Sequence, residues 1–200
     1  MRAVPGPTGL AGPVVLVPVK AFHRAKARLA PSLSPPQRAA LARMMASRVL
    51  GAAAPLPVAV VCDDEEVARW AAASGAMVLP EPGRGLNGAV SSGVERLGEA
   101  GATEVLVVHS DLPLARGLAR LAGFGGVTLV PDRNGDGTNV VGVPPLCGFR
   151  FSYGRGSFRR HLEEAGQRGL RVRVVRDEAL GADVDVPADI PAALGGWSCR

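Results

Sequence analysis

The chain has 200 residues, 47% apolar and 20% charged, with a net charge of +5 and only 4% aromatic residues. That length and balance fit one folded domain and exclude a disordered chain. No apolar run approaches the roughly 18 residues a membrane helix needs, and scattered cations with few aromatics argue against a nucleic-acid surface, so neither membrane nor nucleic acid is an expected partner.

Residues 1–13 mix Gly and Pro with one Arg and lack an apolar core segment, so they read as a tail and not a signal peptide. The folded domain is expected over 14–195, with a short C-terminal tail at 196–200. Cys62, Cys147 and Cys199 are odd in number and share no metal-ligand spacing, which points to free thiols in a cytoplasmic protein. Of 23 Lys and Arg residues, only Lys20 and Lys26 are lysines, in a composition rich in Ala, Arg, Gly and Pro. Where Lys persists against such a bias, its compact ammonium has a role Arg's broad fork does not fill; the alternative is two chance surface lysines.

A first β-branched run at 14–19 ends in Lys20-Ala21-Phe22-His23-Arg24-Ala25-Lys26-Ala27-Arg28. Neither a Walker A loop nor G-x-G-x-x-G is present. Lys20, Lys26 and Arg28 are candidates to neutralise a triphosphate as pyrophosphate leaves, whereas Arg24 reads as solvent-facing. Ser34-Pro35-Pro36-Gln37 has capping-box spacing with Pro at the first helical position, and Leu41, Met44, Met45 and Val49 fall on one face of the helix that follows. A second strand at 58–62 leads to Asp63 or Asp64 as cap of a helix over 65–74. Asn87 opens another helix that runs to about residue 98.

A strand at 105–108 precedes His109-Ser110-Asp111, where a carboxylate at a buried strand's end suits Mg²⁺ beside phosphate; the competing role for Asp111 is a cap for a helix after Pro113. Strands at 127–130 and 140–143 flank the turn-rich stretch from Pro131 to Asn139. Asn134-Gly135 there fits a hairpin turn with Asx hydrogen bonds, and Thr138 and Asn139 are better placed for a ligand. Tyr153-Gly154-Arg155-Gly156-Ser157 opens a helix over 157–167, with glycines at a helix N-terminus that suit an anion; Ser157 also fits a plain N-cap. After a strand at 172–175, Asp183 and Asp185 stand two apart in an extended segment, so both carboxylates share a face and either is a candidate metal ligand. Asp189 reads as a first-turn charge on a short helix from Pro187.

Strand and helix alternating in this way predict an α/β doubly wound fold, with a mostly parallel sheet, helices on both faces and ligands at the strands' carboxyl ends. His23, His109 and His161 are dispersed and no G-x-S-x-G occurs, so no covalent nucleophile is indicated. A phosphate is already ionised at neutral pH and attacks without a protein base. Catalysis then needs alignment and charge neutralisation.

The order VPVKAFHRAKARLAPSLSPPQRAALARMM, EPGRGLN, HSDLPL, PDRNGDGTN, YGRGSFRRHLEEA and DVDVPADI resembles the 2-phospho-L-lactate or phosphoenolpyruvate guanylyltransferases of coenzyme F-420 biosynthesis. The resemblance spans about residues 14–194. It implies a single-domain nucleotidyltransferase of glycosyltransferase-A-like fold that joins GMP from GTP to a phosphorylated acid with Mg²⁺ as cofactor. Carried over residue by residue, it puts Lys20, Lys26 and Arg28 on the triphosphate, Gly85, Leu86 and Asn87 near guanine, and Asp111 with Asp183 and Asp185 on metal. Thr138, Gly154 and Ser157 then hold the acid, and Asn139 adjoins them. His109-Ser110 departs from the family's usual Pro and small residue. The resemblance leaves phosphoenolpyruvate, 2-phospho-L-lactate and 3-phosphoglycerate as acceptors; the Ala-, Arg-, Gly- and Pro-rich composition suggests a GC-rich, actinobacterium-like source, where the family's members favour phosphoenolpyruvate. A molybdopterin guanylyltransferase-like enzyme and a non-catalytic nucleotide sensor are the rival readings, and a homodimer is compatible with the sequence.

Overall fold

The computed structural model describes residues 9–190 of the chain. The fold grows from β-branched runs buried on both faces. In β1 (Gly12–Pro18) Val15 and Val17 face one side, Val14 and Leu16 the other, and all four are fully buried. That burial forces the alternation of a strand covered by helices on both sides. Against the first face pack α1 (Pro35–Ala52) through Ala42, Ala46 and Val49, and α2 (Glu65–Ala73) through Val67 and Ala71. The second face carries α3 (Gly85–Glu99) through Val90, Val94 and Leu97, and α4 (Ser157–Gln167) through Ala165.

Seven strands form one sheet in the order β3-β2-β1-β4-β6-β5-β7. The remaining strands are β2 (Val58–Cys62), β3 (Met77–Pro80), β4 (Ala102–Val108), β5 (Val127–Pro131), β6 (Thr138–Val143) and β7 (Val172–Val174). All neighbouring pairs are parallel except the two made by β6, which runs against both β4 and β5. Because β6 is reversed, its first residues lie at the rim where β1, β2 and β4 end. The His109 N–H accordingly donates to the Asn139 carbonyl at 3.0 Å.

The expected α/β architecture is present, as are the helix starts at Pro35 and Ser157. The Ser34 N–H donates to Gln37 Oε1 at 2.8 Å, and Asp64, rather than Asp63, caps α2 by accepting from the Val67 N–H. Three differences stand out. The edge strand β3 has no counterpart in the sequence reading, α3 begins two residues before Asn87, and β1 starts at Gly12, inside the stretch read as tail. Residues 1–8 of that stretch and the expected tail at 196–200 lie outside the described residues, as does Cys199. Among the described residues no helix is long and apolar enough to cross a membrane.

Candidate active site

A cleft of about 710 Å³ opens along the rim where the parallel strands end, within the size range of small-molecule sites. One half is walled by the ends of β1 and β2 and the start of α3, the other by the ends of β4 and β5, the starts of β6 and α4, and the 183–185 loop.

Between the halves lies an ion cluster assembled from three separate loops. Lys26 Nζ stands 2.7 Å from Asp111 Oδ2 and 3.2 Å from Asp185 Oδ1, and Arg28 Nη1 lies 3.4 Å from Asp185 Oδ2. Burial alone would lower the Lys26 pKa, but the two carboxylates hold it above its ordinary value. Burial would likewise raise Asp111, and the Lys26 ammonium outweighs it, keeping the carboxyl below its usual range. Lys26 adopts a left-handed conformation, φ 54°, unusual for a residue with a Cβ. A small apolar cluster offsets that strain: Leu29, on the turn just after Lys26, packs with Leu41 and Met45 of α1 and with Val184 between the two aspartates. The same contact that buries Val184 sends Asp183 and Asp185 into the cleft.

Asp111 does not cap a helix: its Oδ2 is taken by Lys26, its carbonyl accepts from the Val184 N–H, and its Oδ1 is buried without a partner. Asp183 accepts from Asn139 Nδ2 at 3.3 Å. Burial raises its carboxyl above the ordinary carboxylate value, and the charges of Asp111 and Asp185 add to the shift. Two half-buried carboxylates lining one cleft, one of them with an orphaned oxygen, suit a hard divalent cation. Among the described residues no three of His, Cys, Asp and Glu gather as a complete metal cage. A hard ion that keeps phosphate and water oxygens needs no such cage.

On the half walled by β1, β2 and α3, Lys20 is exposed on the rim and lines the cleft with Arg28, Gly85 and Leu86. Asn87 does not line it; its Oδ1 accepts from the Tyr153 N–H at 2.8 Å and ties α3 to the loop before α4. Arg24 is exposed, as expected. On the other half, Thr138 and Ser157 are buried with their oxygens 3.3 Å apart, and Gly154 (φ 111°) and Gly156 (φ 70°) shape the turn into α4 in conformations that favour glycine. Asn139 lines the cleft too, but its amide nitrogen donates to the Leu180 carbonyl and Asp183, so it braces the acidic loop. The 132–137 turn is organised by Asp132, whose carboxylate accepts from the N–H groups of Asn134, Asp136 and Gly137. Asp189 does more than charge a helix start: it accepts from the N–H groups of Asp185 and Val186.

Sequence reasoning missed His161 and Glu81. His161 stands four residues after Ser157 on α4, a spacing that puts both on one helix face. Glu81 lines the α3 side of the cleft and accepts from Ser92 Oγ at 2.7 Å. His109 packs ring to ring with Tyr153 at 4.9 Å, a packed histidine on the cleft wall.

Residues 13–194 match the family described as Guanylyl transferase CofC like. The chain is 35% identical over 191 residues to a phosphoenolpyruvate guanylyltransferase of Sphaerobacter thermophilus, a match that covers 91% of this chain and 92% of that protein. It is 34% identical over 183 residues to a 2-phospho-L-lactate guanylyltransferase of Methanothermobacter thermautotrophicus, covering 88% and 81%. The solved structure of a Desulfovibrio desulfuricans protein assigned as a nucleotide-diphospho-sugar transferase superposes with a TM-score of 0.76 at 17% identity, covering 96% of this chain and 90% of that one. That likeness establishes the nucleotidyltransferase fold.

Proposed function

The chain belongs to the CofC-like guanylyl transferase family and is a guanylyltransferase; on that premise we propose that it transfers GMP from GTP to the phosphate of phosphoenolpyruvate, or of 2-phospho-L-lactate, releasing pyrophosphate in coenzyme F-420 biosynthesis. The observation that carries this reading is the convergence of Lys26 and Arg28 with Asp111, Asp183 and Asp185 at the waist of a two-sided cleft.

In this account Lys20, Lys26 and Arg28 bind the triphosphate, and Gly85 and Leu86 border the base. Thr138, Gly154 and Ser157 hold the acid, with Asn139 bracing the loop behind them. Asp111 and Asp183 would hold a Mg²⁺ ion, supported by the orphaned Asp111 Oδ1 and the raised Asp183 carboxyl. Asp185 is committed to Lys26 and Arg28, so we assign it the orientation of those cations. When bound, the ion supplies charge neutralisation at the transferring phosphoryl group. The attacking phosphate oxygen is already ionised, so the protein's part is to align it and to screen charge on the leaving pyrophosphate. No general base is required, and the buried His161, with its pKa pushed down to about 4 by burial and by Arg160, does not serve as one. The proposed setting is the cytoplasm, which suits the free thiols of Cys62 and Cys147.

Purified protein incubated with Mg²⁺, GTP and one of phosphoenolpyruvate, 2-phospho-L-lactate or 3-phosphoglycerate tests the reading, with pyrophosphate and product mass as readouts. Pyrophosphate is expected with phosphoenolpyruvate. GTP binding without pyrophosphate release with any of the acids would instead describe a nucleotide sensor.

A further inference from the structure

The hydroxyl pair assigned to the acceptor is backed by a histidine with only one admissible proton arrangement. His161 is fully buried. Its Nε2 lies 3.0 Å from the Ser152 backbone N–H, which can only donate, so Nε2 must present its lone pair. In the neutral ring the proton then sits on Nδ1, 3.1 Å from Thr138 Oγ1, and is donated to that hydroxyl. Phe149, Phe151 and Tyr153 surround the ring at centroid distances of 5.7, 6.5 and 5.1 Å and fix its plane.

The consequence is a polarity imposed on the cleft. Thr138 and Ser157 carry two hydroxyl protons between them, and one is used in the 3.3 Å contact that joins them. Because His161 donates, neither proton is drawn back into the core. One is left for the cleft, which both residues line. With the opposite tautomer Thr138 would donate to the ring, and the hydroxyl pair would have no proton to spare for the cleft. A carboxylate or phosphate offers only acceptors, so it requires the donating arrangement.

We propose that His161 is a positioning residue for the acidic acceptor, acting through Thr138 to keep a hydroxyl proton aimed at the anion. This rests on the reading that Thr138 and Ser157 hold that acceptor. Steady-state pyrophosphate release by His161→Asn, His161→Gln, His161→Phe and Thr138→Val tests it, with phosphoenolpyruvate and GTP varied separately. Asn places an amide nitrogen near the Nδ1 position and keeps the donor, Gln places an amide oxygen near Nε2 and loses it, and Phe loses both. His161→Gln and His161→Phe are expected to raise the KM for phosphoenolpyruvate about tenfold or more, the scale of one hydrogen bond to an anion, with little change in the KM for GTP. His161→Asn is expected to stay close to the parent. If His161→Phe does not fold, the Asn and Gln variants carry the comparison. An unmoved acceptor KM in His161→Gln, or an equal rise in both KM values, overturns the positioning role. If Thr138→Val itself leaves the acceptor KM unmoved, the assignment of the acceptor pocket fails instead.

Discussion

Asp183 sits in conflict with its surroundings. Its carboxyl is half-buried, its Oδ1 takes one weak bond from Asn139, and the charges of Asp111 and Asp185 oppose its ionisation. A carboxyl whose folded pKa is raised stabilises the fold below its unfolded value, and that contribution is lost as pH rises through the folded pKa. At neutral pH without metal, the ionised Asp183 therefore weakens the fold. Asp183→Asn is expected to raise Tm in metal-free buffer by a few degrees, at about 2–4 °C per kcal/mol for a chain of this size. The advantage should shrink as pH is lowered. The same variant should lose turnover by roughly 10²-fold or more. Thermal unfolding followed over pH, alongside pyrophosphate release, checks both, and a lower Tm with normal turnover would return Asp183 to a structural role. Lys26 and Asp111 behave oppositely. Their pKa values move apart, Lys26 above 10.5 and Asp111 below 3.8, so their pair stays ionised across the working range.

The scarcity of lysine draws attention to Lys20 and Lys26, and the structure puts Lys20 on the cleft rim and Lys26 in the central ion cluster. Scarcity could not show that one is exposed and the other pinned between carboxylates. That difference comes from Leu29 and Val184, whose packing brings together loops more than 150 residues apart. The resemblance places Asn87 near guanine, and Asn139 reads as a ligand contact from its place at the entrance of a strand. The Asn87 oxygen accepts from the Tyr153 N–H, and the Asn139 amide nitrogen donates to the Leu180 carbonyl and to Asp183, ties between loops that no local pattern reveals.

Elements with strong local signals were readable from the sequence. The capped starts of α1 and α2 follow from Ser34 and Asp64, and α4 spans the expected 157–167, although Gly156 and not Ser157 takes its N-cap position and the Ser157 hydroxyl turns to Thr138. β3 escaped because it has four residues, ends in Pro80 and sits at a sheet edge, where neither length nor alternation distinguishes it from a loop. The functional counterpart at this scale is the Leu29–Leu41–Met45–Val184 cluster, which docks the Lys26 turn and the acidic loop onto α1. Val184→Ala removes two methyl groups from a fully buried site and should cost on the order of 1–3 kcal/mol. It should also lower kcat, because Asp183 and Asp185 flank it. Denaturant unfolding and kcat measured together decide the matter. A stability loss with unchanged kcat would show that the cluster holds the fold without setting the site.

At the scale of the whole molecule, the doubly wound pattern puts the expected ligand site at the carboxyl ends of parallel strands, and a cleft lies there. What the pattern could not supply is the insertion of β6 between β4 and β5. The hairpin signal at Asn134-Gly135 suited an antiparallel β5–β6 pair, but the pairing of β6 with β4 depends on a contact across about 35 residues that no local motif encodes. That reversal brings Thr138 and Asn139 to the rim beside Asp111, so that both sides belong to one cleft.

Locating the metal tests this arrangement most directly. Crystals grown with Mn²⁺ in place of Mg²⁺, together with GTP, would reveal the ion by anomalous scattering. The account predicts a peak coordinated by Asp111 and Asp183 and by phosphate oxygens, with Lys26 and Arg28 on the triphosphate. GTP bound with its phosphates away from Lys26, or a manganese peak that touches neither Asp111 nor Asp183, would contradict it.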